Sequence, residues 1–357
     1  MSILRDLRAL GQQIWLDNLS RTLINDGELA RLIDLGLAGI TSNPAIFQKA
    51  IASGQHYGDD LAKLKQQSLS AERRYELLAI PDVQRACDMM RPVFDESKGD
   101  AGYVSLEVSP NLAHDEEGTV AAARRLHDEV NRPNVLIKIP ATPEGLPAIE
   151  RSIAAGISIN VTLMFSLAHV DSVANAYIAG LEKLAAKGGD VAKIKSVASL
   201  FLSRSDGAVD KKLEEMGGDA LILRGRTAVA LGKLAYARWQ EIFGSPRFAA
   251  LKAKGARVQP MLWASTGTKN PAYSDLLYVE PLIGPDTVNT MPDATLHALL
   301  DHGKAAVRVD RDVSAARAQF EALSKIGIDM TEIGLSLQRD GVVQFEQAFE
   351  KLLEVTA

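Results

Sequence analysis

Short apolar runs alternate along the chain with longer segments in which apolar residues recur every three or four positions. The first pattern fits buried strands and the second fits amphipathic helices. Eight runs read as strands: 14–17 (IWLD), 38–41 (AGIT), 103–108 (YVSLEV), 135–139 (VLIKI), 157–162 (ISINVT), 194–200 (IKSVASL), 258–263 (VQPMLW) and 276–279 (LLYV). Helical patterns such as 118–131 and 165–187 lie between them, an alternation that implies parallel strands joined by right-handed crossovers. Runs that are apolar throughout, such as VLIKI, suit strands whose outer face is covered by helices. The expected fold class is therefore α/β, a (β/α)8 TIM barrel. An open doubly wound sheet is the alternative, but no glycine-rich dinucleotide fingerprint follows any strand, as that fold's cofactor site would require.

Two connections, 44–97 and 205–256, are too long for one helix and read as helical insertions after strands 2 and 6. The first divides into helices over 45–51, 59–67 and 71–94, with Ser70 placed as an N-cap. The second carries Leu221, Val229, Leu231, Leu234, Ala235, Trp239 and Phe243 on a helical stripe that ends at Gly244-Ser245-Pro246. Near the C-terminus, Val342, Phe345, Phe349, Leu352 and Leu353 have helical spacing, which predicts a closing helix packed back on the body. No internal repeat or linker breaks the pattern, so residues 1–357 are expected to form one domain with additional helices.

Composition narrows the function classes. The chain is 46% hydrophobic and 24% charged with a net charge of -5, and no run of Lys or Arg exceeds two. A folded globular protein with no nucleic-acid partner follows. The single cysteine, Cys87, excludes an internal disulfide and a cysteine-rich metal site, and reads as a buried core thiol of a reducing compartment. The six histidines form no HxH or HExxH pair, so no metal is expected. Ser152 to Val170 is uncharged and long enough to span a bilayer. Its Gly, Ser, Asn, Thr and His residues fit a helix end, a buried strand and the next helix start instead. With no signal peptide in MSILRDLRAL, a cytoplasmic protein with no membrane contact is expected.

In a parallel barrel, function belongs at the C-terminal ends of the strands. The predicted strand ends supply Asp17 and Asn18, Thr41, Ser42 and Asn43, Glu107, Lys138, Asn160 and Thr162, Ser199 and Arg204, and Ser265 and Lys269. Lys138 is the most informative, because an ammonium within VLIKIP is costly to bury. Desolvation favours a neutral amine, and a neutral amine adds to a carbonyl to form a Schiff base. A buried stem with a snorkelling or acid-paired head is the structural alternative. Asp17 and Glu107 could supply the proton transfers that iminium chemistry needs, or could serve as a cap and an ion-pair partner. Arg204, Ser265 and Lys269 follow late strands, where barrels often bind phosphate. No GxxxxGK[ST], GxSxG or GxGxxG motif is present, which disfavours nucleoside triphosphates, serine hydrolysis and hydride transfer.

Seven segments, WLDNLSR, GITSNPAIF, SLEVSP, VLIKIPAT, INVTLMFS, SLFLSR and WASTGTKNP, occur in the order in which they stand in the transaldolase family. The chain resembles that family from Trp15 to at least Pro271, in the form of its longer bacterial branch. The resemblance implies a cofactor-free transferase that moves a dihydroxyacetone unit between sugar phosphates in the pentose phosphate pathway. It makes Lys138 the Schiff-base lysine and Asp17 the acid-base group at the C4 hydroxyl. Glu107 and Thr162 become the pair that holds the catalytic water. Asn43 and Asn160 bind donor hydroxyls, Ser199 and Phe201 line the pocket, and Arg204 and Ser265 bind phosphate. The sequence departs from many members in reading Thr266-Gly267-Thr268-Lys269 where they carry an arginine, and Lys269 is assigned to the phosphate in its place. A fructose 6-phosphate aldolase of the same superfamily is the nearest rival, although such chains resemble a much shorter protein and usually carry Tyr where Phe201 stands. A noncatalytic sugar-phosphate-binding barrel is the other. Homodimer and monomer both stay open.

Overall fold

In the computed structural model, which describes residues 2–357, eight parallel strands pair in chain order and β8 closes on β1. They are β1 (Gln12–Asp17), β2 (Gly39–Thr41), β3 (Tyr103–Glu107), β4 (Val135–Pro140), β5 (Ile159–Met164), β6 (Ser196–Phe201), β7 (Met261–Ala264) and β8 (Thr287–Met291). The chain is thus a (β/α)8 barrel. Seven of the predicted runs overlap their strands, and the eighth does not. LLYV at 276–279 is a turn before β8, and TVNTM forms the strand. Leu276, Tyr278 and Val279 are buried all the same, so their apolar character reflects packing of a loop against the body rather than a place in the sheet.

Helix α1 (Ile3–Ala9) precedes the barrel, and α2 (Arg21–Asn25) and α3 (Glu28–Leu35) join β1 to β2. The first insertion is α4 (Pro44–Ala52), α5 (Gly58–Lys65) and α6 (Ala71–Glu96), the last capped by Ser70 as predicted. Single helices α7 (Glu116–Val130), α8 (Gly145–Ala154) and α9 (Leu167–Ala186) connect β3 through β6. The second insertion is α10 (Ser203–Met216), α11 (Thr227–Phe243) and α12 (Pro246–Lys252). After β8 come α13 (Asp293–His302), α14 (Val313–Lys325) and the closing helix α15 (Met330–Thr356). The uncharged stretch 152–170 resolves into the end of α8, β5, and the start of α9 with Ser166 as its N-cap. No helix among the described residues is long and apolar enough to cross a membrane. Cys87 is buried, and burial pushes its thiol pKa up.

The interior explains how the site is built. Trp15, Leu136, Val197, Leu262 and Val288 come from five strands and pack into one apolar cluster inside the barrel. Strand side chains alternate between faces, so a residue two positions further on shares the same face. That step leads from Trp15 to Asp17, Leu136 to Lys138, Val197 to Ser199 and Val288 to Thr290. A dry plug therefore lies beneath a polar layer at the C-terminal mouth. Gly39 on β2 is required by the plug, since a Cβ there would stand 2.5 Å from the Trp15 ring.

Candidate active site

The register of the central strands sets Glu107, Lys138 and Asn160 side by side on β3, β4 and β5. Lys138 is only 5% exposed. Its Nζ donates to the Ser42 carbonyl at 3.0 Å and lies 3.5 Å from Glu107 Oε2. These two contacts compensate the burial of an ammonium that strand periodicity places inside the barrel. Glu107 stands behind the lysine rather than on the wall of the mouth. Burial, opposed by Lys138 and reinforced by the charge of Asp17, holds its carboxyl at about 7. Glu107 Oε2 and Thr162 Oγ1 are both buried and find no hydrogen-bond partner within the protein. Each can therefore accept from, or donate to, a small molecule between the strand ends.

Asp17 lies at the end of β1, where burial raises its carboxyl pKa against the opposing charge of Lys138 and the hydrogen bond from Thr41. Thr41 Oγ1 donates to Asp17 Oδ1 at 2.7 Å and lies 2.6 Å from Thr290 Oγ1. With its proton given to Asp17, Thr41 must accept from Thr290, so a short relay from β8 through β2 fixes the carboxylate. A second relay fixes Asn160. Ser199 Oγ donates to Asn160 Oδ1 at 2.7 Å, and Asn160 Nδ2 donates to Ser105 Oγ at 3.1 Å. Asn43 is held differently. Its Oδ1 caps α4 by accepting from the Ile46 N–H at 3.1 Å, ahead of Pro44 in the first helical position. The cap leaves Asn43 Nδ2 as a donor toward the pocket.

The opposite side of the mouth is cationic. Arg204, in the first turn of α10, lies over the Phe201 and Phe345 rings at 5.4 and 6.0 Å from their centroids. Its Nη1 is buried without a protein partner, and burial lowers its pKa with no carboxylate opposing the shift. A guanidinium so placed suits an anionic group. Ser265, just past β7, sits in the left-handed region at φ 54° and shares a 2.8 Å hydrogen bond with Ser203 Oγ. A serine rarely adopts that backbone except where its surroundings impose it.

One pocket joins the two sides, and nine of the eleven predicted site residues line it. The exceptions are Glu107, which reaches the site through Lys138, and Lys269. Lys269 is exposed, and desolvation followed by the charge of Arg204 holds its ammonium below the usual lysine value. Four residues of the wall carry no assignment from the sequence: Thr41, Ala264, Thr290 and Phe345. Phe345 arrives on α15, whose Gln338 donates to the Ala141 and Leu163 carbonyls at 2.8 and 3.1 Å. Gly334 permits the approach, because a Cβ there would stand 2.7 Å from Ser166 Cβ. At the β5 end, Leu163 takes a left-handed φ of 59° where the pairing with β6 shifts register. Such a bulge re-aims the residues beside it, here Thr162.

Comparison with known sequences follows the same residues. Residues 14–356 match the family model described as transaldolase/fructose-6-phosphate aldolase. A transaldolase of Thiobacillus denitrificans is 53% identical over 355 residues, covering 99% of both chains. One of Neisseria gonorrhoeae is 51% identical over 353 residues with the same coverage. Transaldolase 1 of Streptomyces coelicolor is 48% identical over 353 residues, 98% of this chain and 93% of the relative.

Proposed function

Because the chain belongs to the transaldolase/fructose-6-phosphate aldolase family and is a transferase, we propose that it transfers a dihydroxyacetone unit through a Schiff base on Lys138. The donor is sedoheptulose 7-phosphate or fructose 6-phosphate, and the acceptor is glyceraldehyde 3-phosphate or erythrose 4-phosphate. The observation that carries this reading is the surroundings of Lys138. Its buried amine shares one mouth with Asp17 and with an arginine that has no acid partner, and is backed by Glu107, both carboxyls having raised pKa values.

Lys138 Nζ adds to C2 of the ketose, and loss of water from the carbinolamine gives the iminium. Asp17 takes the proton of the C4 hydroxyl, the C3–C4 bond breaks, and its electron pair moves toward the iminium nitrogen to leave an enamine. The first aldose phosphate departs. A second enters, the enamine carbon attacks its aldehyde, and Asp17 returns the proton. Glu107 and Thr162, whose buried Oε2 and Oγ1 have no hydrogen-bond partner within the protein, position the water that hydrolyses the new iminium. Asn43 Nδ2 and Asn160 bind hydroxyls of the enamine and hold it in place, with Ser199 and Phe201 completing the wall. Arg204, Ser265 and Lys269 bind the phosphate. Ping-pong kinetics follow from the covalent intermediate.

No cofactor takes part in this scheme, and the reaction belongs to the non-oxidative pentose phosphate pathway of the cytoplasm. Incubation with fructose 6-phosphate and erythrose 4-phosphate tests it. Sedoheptulose 7-phosphate as the main product supports transfer. Free dihydroxyacetone would assign an aldolase, and binding without turnover in the native protein would assign a noncatalytic barrel.

A further inference from the structure

Behind Arg204, two carboxylates on α10 tie together the segments that form the cationic end of the pocket. Asp206 and Asp210 stand one helical turn apart and are both buried. Asp206 Oδ1 accepts from the Ala228 N–H at 2.8 Å, and Asp206 Oδ2 accepts from the Tyr278 hydroxyl at 2.9 Å. Asp210 repeats the arrangement one turn later, with the Gly225 N–H at 3.0 Å and the Tyr273 hydroxyl at 2.8 Å. The Gly225 amide belongs to the connection from α10 to α11 and the Ala228 amide to the first turn of α11, and the two tyrosines belong to the loop from β7 to β8.

Position 225 must be glycine for this packing. Its φ is +65°, and a Cβ would stand 2.8 Å from the Tyr273 ring. The clamped segments carry the cationic site itself. Arg204 is in the first turn of α10, while Ser265 and Lys269 lie in the loop that Tyr273 and Tyr278 anchor. Further bonds hold the root of the loop, from Ser203 N–H to the Ser265 carbonyl at 3.1 Å, between the two serine hydroxyls at 2.8 Å and from Thr266 Oγ1 to the Thr290 carbonyl at 3.1 Å, while the tyrosines tie its later part to α10.

We propose that Asp206–Tyr278 and Asp210–Tyr273 are positioning pairs for phosphorylated substrates, fixing the Ser265–Lys269 loop against the Arg204 helix and so setting how tightly the phosphate is held. The inference rests on the assignment of Arg204, Ser265 and Lys269 to the phosphate. Each tyrosine donates a hydrogen bond to a carboxylate, a stronger kind than one between neutral groups, and neither touches the reacting atoms.

Tyr273 is partly exposed, so Tyr273→Phe is the first variant, with Asp210→Asn and Tyr278→Phe beside it. Each is assayed with glyceraldehyde 3-phosphate and with glyceraldehyde as acceptor, with inorganic phosphate as a competitive inhibitor, and by thermal melting. The expected result is a fall of about 3- to 10-fold in the ratio of kcat/KM for the phosphorylated over the unphosphorylated acceptor, the range of one lost hydrogen bond. It appears in KM and in the Ki of inorganic phosphate, while kcat with glyceraldehyde 3-phosphate moves much less. A purely structural role would lower the melting temperature and leave that ratio where it was, which would overturn the proposal. Arg204→Ala separates the two layers. If it changes the ratio and Tyr273→Phe does not, the clamp alone is refuted; if Arg204→Ala leaves the ratio unchanged, the phosphate assignment fails and the clamp's role fails with it.

Discussion

Glu107→Gln keeps the size of the side chain and removes its ionisation. Burial, opposed by Lys138, moves the Glu107 carboxyl from 4.5 to about 7. A carboxyl whose pKa is raised by folding favours the folded state while protonated. That contribution is complete below 4.5 and is lost as the pH rises through about 7. The interval corresponds to about 3 kcal/mol at about 1.4 kcal/mol per pH unit. The variant lacks this titration, so its stability relative to the native protein should grow by about 3 kcal/mol between pH 4.5 and about pH 8. Its absolute stability is set partly by leaving the buried Lys138 without its carboxylate, which makes the pH slope the quantity to read. Urea unfolding of both proteins across this range measures it. Activity supplies a second reading. Glu107 must be ionised to accept a proton from water, so native kcat/KM should fall about tenfold per pH unit below the Glu107 pKa, which lies at about 7. Glu107→Gln should lose that limb and about 100- to 10,000-fold in rate. Parallel unfolding curves together with an unchanged acidic limb would refute the reasoning.

Arg204→Ala removes a cation that no carboxylate in the pocket opposes, and should raise KM for phosphorylated substrates about 10- to 100-fold with little change in kcat. Thr41→Val deletes the 2.7 Å donor to Asp17; this bond favours the carboxylate, so its loss should raise the Asp17 pKa and depress kcat more at acid than at alkaline pH. Asn43→Ala should lose about 1 kcal/mol with the α4 cap as well as affinity for the donor sugar, whereas Asn43→Ser should keep the melting temperature and lose only the affinity. Incubation with a chelator followed by assay should leave turnover unchanged, because no step passes through a metal.

Most of the barrel can be read from the sequence because its strands are buried on both faces and carry near-continuous apolar runs. β8 escapes that reading. Thr287, Asn289 and Thr290 turn polar groups into buried hydrogen bonds, Asn289 Nδ2 to the Tyr278 carbonyl at 3.2 Å and Thr290 to Thr41, so the strand looks hydrophilic. Its β-branched residues between Gly284-Pro285-Asp286 and Pro292-Asp293 are the signal that identifies it. The misplaced strand also hides Thr290 and hence the relay to Asp17. Asp17, Lys138 and Ser199 are legible for a local reason: each stands two residues beyond an apolar plug residue on its own strand. Phe345 is legible as part of a helical stripe but not as pocket wall, because its position depends on where α15 docks through Gln338 and Gly334. The α10 clamp is long-range in the same sense, joining residues 206 and 210 to 273 and 278.

The central claim is a covalent bond between substrate and Lys138. Borohydride reduction in the presence of fructose 6-phosphate, followed by peptide mapping with Lys138→Ala as control, tests it most directly. The expected result is a dihydroxyacetone-sized adduct on Lys138 that is absent from the variant. Folded native protein that shows neither adduct nor turnover, or carries the adduct on another lysine, would contradict it.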